Sequence, residues 1–260
     1  MMRRARVLVV AMIALLGGGA ASSEAASLTA VRERGTFGVC AHPDALPYSS
    51  QDRSTPGFQL EIAEAIAAQL GVRVHVDWIV FARHARRLEC DATIGSIIKP
   101  DGGGPGRGPR LTRPYVGSGY ALVLPAASPS IERLEDVKGK VAVEHTSWPH
   151  YVLERRNQPF SSHGSPFEVL DAVAKGEAAA GLVSDAYAGW YLKLHPGAAR
   201  ISDTYVPERD FRWNVAVGLR GADDALVDAV NRALDTLIAD QTIPKIFARY
   251  GIRYRPPAAP

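Results

Sequence analysis

The sequence holds only two cysteines, Cys40 and Cys90, among 260 residues. Two thiols exclude a disulfide-rich scaffold, and alone they cannot complete a structural zinc site. No sign of charge dominates. Thirty basic and 27 acidic residues give a formal net charge of +3, so no strong attraction to nucleic acid or to an acidic membrane surface is expected. Long apolar runs are also missing. Residues 7–16 are unbroken apolar, but a membrane-spanning helix needs about 20 such residues. Familiar catalytic signatures are absent. Gly117-Ser118-Gly119 is too tight for a nucleophile elbow, no His-Glu-x-x-His run occurs, and Gly108 is followed by Pro109 where a phosphate loop needs lysine. The seven histidines are scattered; His145 and His150 are five apart and would not share a helix face. No metal site and no cofactor is implied.

What is present is an ordinary globular composition, 47% apolar and 22% charged. Arg3, Arg4 and Arg6 precede the apolar run, and Ser23-Glu24-Ala25 offers a small-x-small exit. A basic head, a short apolar core and such an exit predict a cleavable signal peptide over residues 1–25, and hence a periplasmic protein without membrane insertion. The competing reading, a membrane anchor, needs a longer run. Two cysteines in an exported chain favour a Cys40–Cys90 disulfide. Against it, Cys40 lies late in one predicted strand and Cys90 begins another, and a bridge needs Cα atoms within about 7 Å.

The remaining chain alternates strands and helices. A short helix at Leu28–Arg34 precedes a buried strand at Thr36–Ala41. Phe58–Leu70 carries Leu60, Ile62, Ala63, Ile66, Ala67 and Leu70 at helical spacing, stopped by Gly71. Alternation over 72–78 predicts a strand. A basic helix over 80–89 leads to a strand at 91–97. Arg83, Arg86 and Arg87 on that helix read either as an anion or partner contact or as a solvated face. The glycine-rich stretch 99–109 reads as a surface loop. A strand at 120–124 is followed by a second alternation: a strand at 140–144, a helix opening at Ser147, and a Ser165-Pro166-Phe167-Glu168 capping box. A strand at 179–183, a helix at Asp185–Leu194, a strand at 213–219 and two helices at 223–238 and 243–250 complete the chain.

This order predicts an α/β fold of two parallel-sheet lobes with two crossover strands, near 120–124 and 215–219, and a central cleft. The lobes are expected at 26–121 and 122–216, with residues 217–260 returning to the first. Ligands of open α/β sheets bind at the carboxyl ends of the strands. Tyr48, Ser96, Ser147 and Asp185 each end or follow a strand there, and Thr146-Ser147 opens a helix whose free N–H groups suit an anion. Asp185 reads equally as a helix cap and as an acceptor for a ligand cation or hydroxyl. Trp148, Tyr187, Trp190 and Tyr191 could stack on a ligand, although the spacing of the last three places at least two in the core.

The segments Phe37-Gly38-Val39-Cys40, Leu46-Pro47-Tyr48, Gly57-Phe58-Gln59-Leu60-Glu61-Ile62-Ala63, Cys90-Asp91-Ala92-Thr93-Ile94-Gly95, Thr112-Arg113-Pro114-Tyr115 and Ile246-Phe247-Ala248-Arg249-Tyr250-Gly251 resemble, in that order, bacterial solute-binding proteins of family 3. The resemblance implies the type II periplasmic binding fold and a small polar ligand in the cleft, with Tyr48, Phe58, Ser96, Arg110, Thr146, Ser147 and Asp185 as candidate contacts. Amino-acid binders of that family place Thr-x-Glu-Arg after the third strand. Here that place reads Lys99-Pro100-Asp101-Gly102-Gly103-Gly104, with Arg107 and Arg110 nearby, while Asp185 falls where the ligand ammonium is held. The run from Cys40 to Ser49 further resembles the J proteins of methanol-dehydrogenase gene clusters (the MxaJ and XoxJ group). That closer resemblance implies a non-enzymatic accessory protein whose partner is a quinoprotein alcohol dehydrogenase or its cytochrome. The alternatives are a receptor feeding an ABC permease and a periplasmic dehydratase-like enzyme, for which Glu144 and Asp185 are the available carboxylates.

Overall fold

The computed structural model describes residues 26–80, 90–98 and 108–259. The leader, the basic segment bearing Arg83, Arg86 and Arg87, and residues 99–107 with Arg107 lie outside the described residues. Among the described residues no helix is long and apolar enough to cross a membrane.

In the first lobe, α1 (Leu28–Arg34) is capped by the Ser27 hydroxyl, which accepts from the Ala30 N–H at 3.0 Å. β1 (Thr36–Ala41) comes next, then a small hairpin of β2 (Asp44–Ala45) and β3 (Ser49–Ser50). The lobe continues with α2 (Phe58–Leu70), β4 (Arg73–Trp78), β5 (Ala92–Ile98) and the short β6 (Arg110–Leu111). β1 lies between β4 and β5, parallel to both. The apolar face of α2 is wholly buried because Ile62, Ala63 and Ile66 recur at helical spacing.

The long strand β7 (Val116–Pro125) joins the lobes. The second lobe adds β8 (Val141–Glu144), α3 (Trp148–Arg155), β9 (Phe160–His163), α4 (Pro166–Ala174), β10 (Ala180–Ser184), α5 (Asp185–Leu194) and β11 (Ala199–Ile201). β12 (Arg212–Leu219), α6 (Asp224–Ala239) and α7 (Thr242–Arg249) then return to the first lobe, where both helices pack on α2. The main strand order is β4-β1-β5-β12-β7-β10-β8-β9. In the second lobe β7, β8 and β10 are apolar on both sides. Ala121 and Val123 enter one core while Leu122 and Leu124 enter the other, as the two-residue period of a strand requires.

Three expectations shift. β7 begins four residues before 120. Its Val116–Gly119 part pairs with β12 and its Tyr120–Val123 part with β10, so the crossing is a change of partner within one strand. The return also comes earlier than 215–219, because β12 already pairs opposite Gly119 at Arg212. Phe211 is buried in a second-lobe core, and its carbonyl oxygen would lie 2.7 Å from a Cβ on Gly119. Only glycine lets the two crossings approach so closely. β9 and β11 were not expected from the pattern; β9, Phe-Ser-Ser-His, is a mostly polar strand at the end of the sheet order and carries no apolar alternation.

Cys40 and Cys90 are joined in a disulfide with Cα atoms 5.5 Å apart. The strand ends do not keep them apart because the chain entering β5 crosses over the face of Gly38. A Cβ there would sit 3.4 Å from the Cα of Cys90. Cys40, two residues on, projects from the same face.

Candidate functional site

The carboxyl ends of β5, β8 and β10 open onto a cleft of about 820 Å³. The first lobe contributes Tyr48 and Ile97; the crossings contribute Tyr120, Arg209, Asp210, Arg212 and Trp213; the second lobe supplies Glu144, Ser147, Trp148, Ser184 and Tyr187 among others. A smaller cavity of about 110 Å³ lies beside it, lined by Phe58, Gln59, Ser118, Asp185 and Arg253. Tyr48, Ile97 and Trp213 line both.

Tyr48 is placed by local backbone geometry. Gly57 has φ +92°, and a Cβ on it would lie 2.4 Å from the Tyr48 carbonyl oxygen. That close approach lets the Phe58 and Gln59 N–H groups donate to the Pro47 and Tyr48 carbonyls at 2.9 and 3.0 Å. The first amides of α2 thus hold the Tyr48 segment. The phenol reaches the second lobe, where its oxygen is 3.0 Å from the Ser184 hydroxyl, and its ring meets Tyr187 edge-on at 5.3 Å. Burial pushes the phenol's pKa up, and the Ser184 hydrogen bond opposes this. Phe58 packs between Tyr48 and Phe247 at 5.1 and 4.9 Å and reaches only the smaller cavity.

Ser184, not Asp185, caps α5: its hydroxyl accepts from the Tyr187 N–H at 3.4 Å. Asp185 is the first helical residue and is 8% exposed. Its carboxylate accepts from the Ser118 hydroxyl at 2.8 Å. Burial raises its pKa; the Ser118 hydrogen bond, the charge of Arg255 and the Ala186 and Gly119 amides lower it. The group is largely committed to the protein.

Ser147 caps α3 and lines the cleft. Thr146 does not. It sits at φ +59° in the turn with an exposed side chain, and its N–H donates to His150 Nδ1 at 3.1 Å. The same turn brings the His145 and His150 rings to 5.2 Å, since His145 precedes the helix. Ser96 also misses both cavities. The pairing of β5 with β12 shifts register between Ala216 and Gly218, leaving one extra residue in β5 between Thr93 and Ser96. Ser96 therefore meets the Thr93 hydroxyl at 3.0 Å, and the cleft-facing residue is Ile97. Arg110 is elsewhere, pairing with Asp224 at 2.5 Å and donating to the Ala222 carbonyl at 3.0 Å. Trp190 and Tyr191 are core residues, while Trp148 and Tyr187 line the cleft.

Sequence reasoning missed Ile97, Tyr120, Arg209, Arg212 and Trp213 as cleft residues. Four of these five flank the lobe crossings. In a two-lobed chain the crossings form the back of the cleft, so locating them would have exposed these residues. Burial pushes the Tyr120 phenol up to about 12 and also raises the Glu144 carboxyl.

The chain belongs to the bacterial extracellular solute-binding proteins, family 3, whose profile matches residues 37–253, and it has their two-lobed α/β fold. It is similar in structure to an ancestral cationic amino acid solute-binding protein (22% identity, 86% of this chain and 99% of that one, TM-score 0.72). It is similar to the L-cystine solute receptor of Neisseria gonorrhoeae (21%, 86% and 97%, TM-score 0.70). It is also similar to a polar amino acid ABC uptake transporter substrate-binding protein from Streptococcus thermophilus (16%, 86% and 88%, TM-score 0.69). No curated protein sequence matches it.

Proposed function

We propose that this is an exported receptor, held in the periplasm after removal of residues 1–25, that binds a small polar organic solute between its lobes and presents it to an ABC permease without transforming it. The observation that carries this reading is the cleft itself: about 820 Å³ at the carboxyl ends of strands from both lobes, in a family 3 chain. The importer-associated names of similar structures support it. The test is calorimetry on the purified chain, with small-angle scattering alongside. The expected result is micromolar binding of a solute class together with a smaller radius of gyration as the lobes close. No binding across amino acids, organic acids and amines would overturn it.

A second reading, an accessory protein of a quinoprotein alcohol dehydrogenase of the methanol-dehydrogenase kind, rests on the Cys40–Ser49 resemblance. That segment is tied down by the disulfide and the β2–β3 hairpin and carries Tyr48 to the cleft. Co-purification of a dehydrogenase or its cytochrome from periplasm, with no solute bound, would favour this reading over the first.

A further inference from the structure

The cleft wall is largely apolar. Nine of its fifteen lining residues are aromatic or aliphatic, five of them Tyr48, Tyr120, Trp148, Tyr187 and Trp213. Two large apolar side chains line it from different lobes while still wet: Ile97 is 57% exposed and Trp148 42%. Uncovered apolar area costs about 25 cal/mol per Å² relative to burial. A solute that carries a flat apolar face beside its polar group would remove that cost, and one without such a face would not.

The charges point further. Arg209 and Arg212 line the cleft and are exposed, and neither has an ion pair among the described residues. By contrast, Arg156 is bound to Glu208 and Glu135. Two carboxylates face the same space, Asp210 and Glu144, so the formal charges balance. Neither carboxylate forms an ion pair with either arginine among the described residues, so both guanidinium groups are available to a ligand. Arginine stays charged in any protein setting, whereas Glu144 is partly desolvated and accepts a proton more readily than usual. Asp185, the buried carboxylate that could hold a ligand ammonium, does not line this cleft and is engaged by Ser118.

We infer that the solute is an aromatic carboxylate recognised without an ammonium group: its ring lies among Trp148, Tyr187 and Trp213, and its carboxylate pairs with Arg209 and Arg212. This rests on the reading of the cleft as a solute site and names its substrate class. Guanidinium–carboxylate pairing is charge-assisted and geometrically matched, and ring stacking adds to simple burial.

The test titrates the purified chain with 4-hydroxybenzoate, phenylacetate, benzamide, phenylalanine, arginine and glutamine, by calorimetry and by the fluorescence of the cleft tryptophans. The aromatic carboxylates should bind at micromolar concentration and benzamide at least about ten-fold more weakly. Arg212→Gln and Arg209→Gln should each weaken 4-hydroxybenzoate about ten-fold and leave benzamide unchanged. Both arginines are exposed, so unaltered melting curves should confirm that the variants fold. Tight binding of phenylalanine, arginine or glutamine, with the simple aromatic acids a hundred-fold weaker, would overturn this inference and leave the receptor reading standing. Equal losses for acid and amide in the variants would also overturn it. If no probe of any class binds, both fall.

Discussion

Two carboxylates leave the same end of neighbouring strands and meet opposite fates. β8 and β10 run parallel, with Leu182 beside Val143, so Glu144 and the Ser184–Asp185 pair emerge together at their carboxyl ends. Glu144 lines the wide cleft, with no hydrogen-bond partner for its side chain among the described residues. Asp185 opens α5, is buried there and is held by Ser118 on β7. The difference comes from the segment that each strand runs into. After Glu144 the chain makes an exposed turn before α3. After Ser184 it enters α5 at once, and α5 is pinned against the first lobe. Ala186 and Trp190 belong to the first-lobe core, and a Cβ on Gly189 would lie 2.5 Å from the Gly251 carbonyl oxygen. A strand-end carboxylate is thus available to a ligand only where the next helix leaves it free.

The strongest way to break this contrast is to remove each carboxylate. Asp185→Ala strands the half-buried Ser118 hydroxyl and the Ala186 and Gly119 amides, and it should cost about 2–3 kcal/mol in urea unfolding. A loss below about half a kcal/mol would mean that Asp185 is not a structural group. Gly189→Ala forces a methyl against the Gly251 carbonyl and should cost about 2 kcal/mol. An unchanged denaturation midpoint would show that α5 is not closely seated on the first lobe.

Smaller effects sharpen the same point. Glu144→Gln should move stability by no more than about 0.5 kcal/mol, since nothing in the fold depends on its charge; a larger loss measured by thermal unfolding would place Glu144 among the structural groups. The last check is pH. Burial raises Asp185 above its ordinary value, so the native state holds this proton more firmly than the unfolded chain. Its contribution is fully present below the unfolded value, about 4, and is lost as pH rises through the raised folded value. Unfolding curves from about pH 4 to 7 should therefore show wild type losing stability relative to Asp185→Asn; parallel curves would contradict the raised value.

Much of the fold was legible. Helical spacing in α2, the capping box at Ser165, whose hydroxyl accepts from the Glu168 N–H at 3.2 Å, and the apolar strands β1, β8 and β10 were all within a residue or two of their observed bounds. The site was only partly legible. Tyr48 and Ser147 line the cleft, but Ser96, Arg110 and Thr146 do not. Ser96 was misplaced because a bulge in β5 reverses the alternation on which its assignment rested. Arg110 was misplaced because its partner, Asp224, lies 114 residues away.

By itself, the sequence determined the class of architecture. Alternating helical and strand periods, glycine stops and hydroxyl caps are local properties, and each acts within a few residues. Tertiary structure decided which polar groups face the cleft. That choice depends on long-range pairings: β7 changing partner at Gly119, α5 docking on Gly251, and Tyr48 reaching Ser184 across the lobes. A carboxylate or arginine carries no local mark of whether a distant chain segment will arrive to satisfy it, so the pattern that fixed the strands left the fate of the charged residues at their ends open.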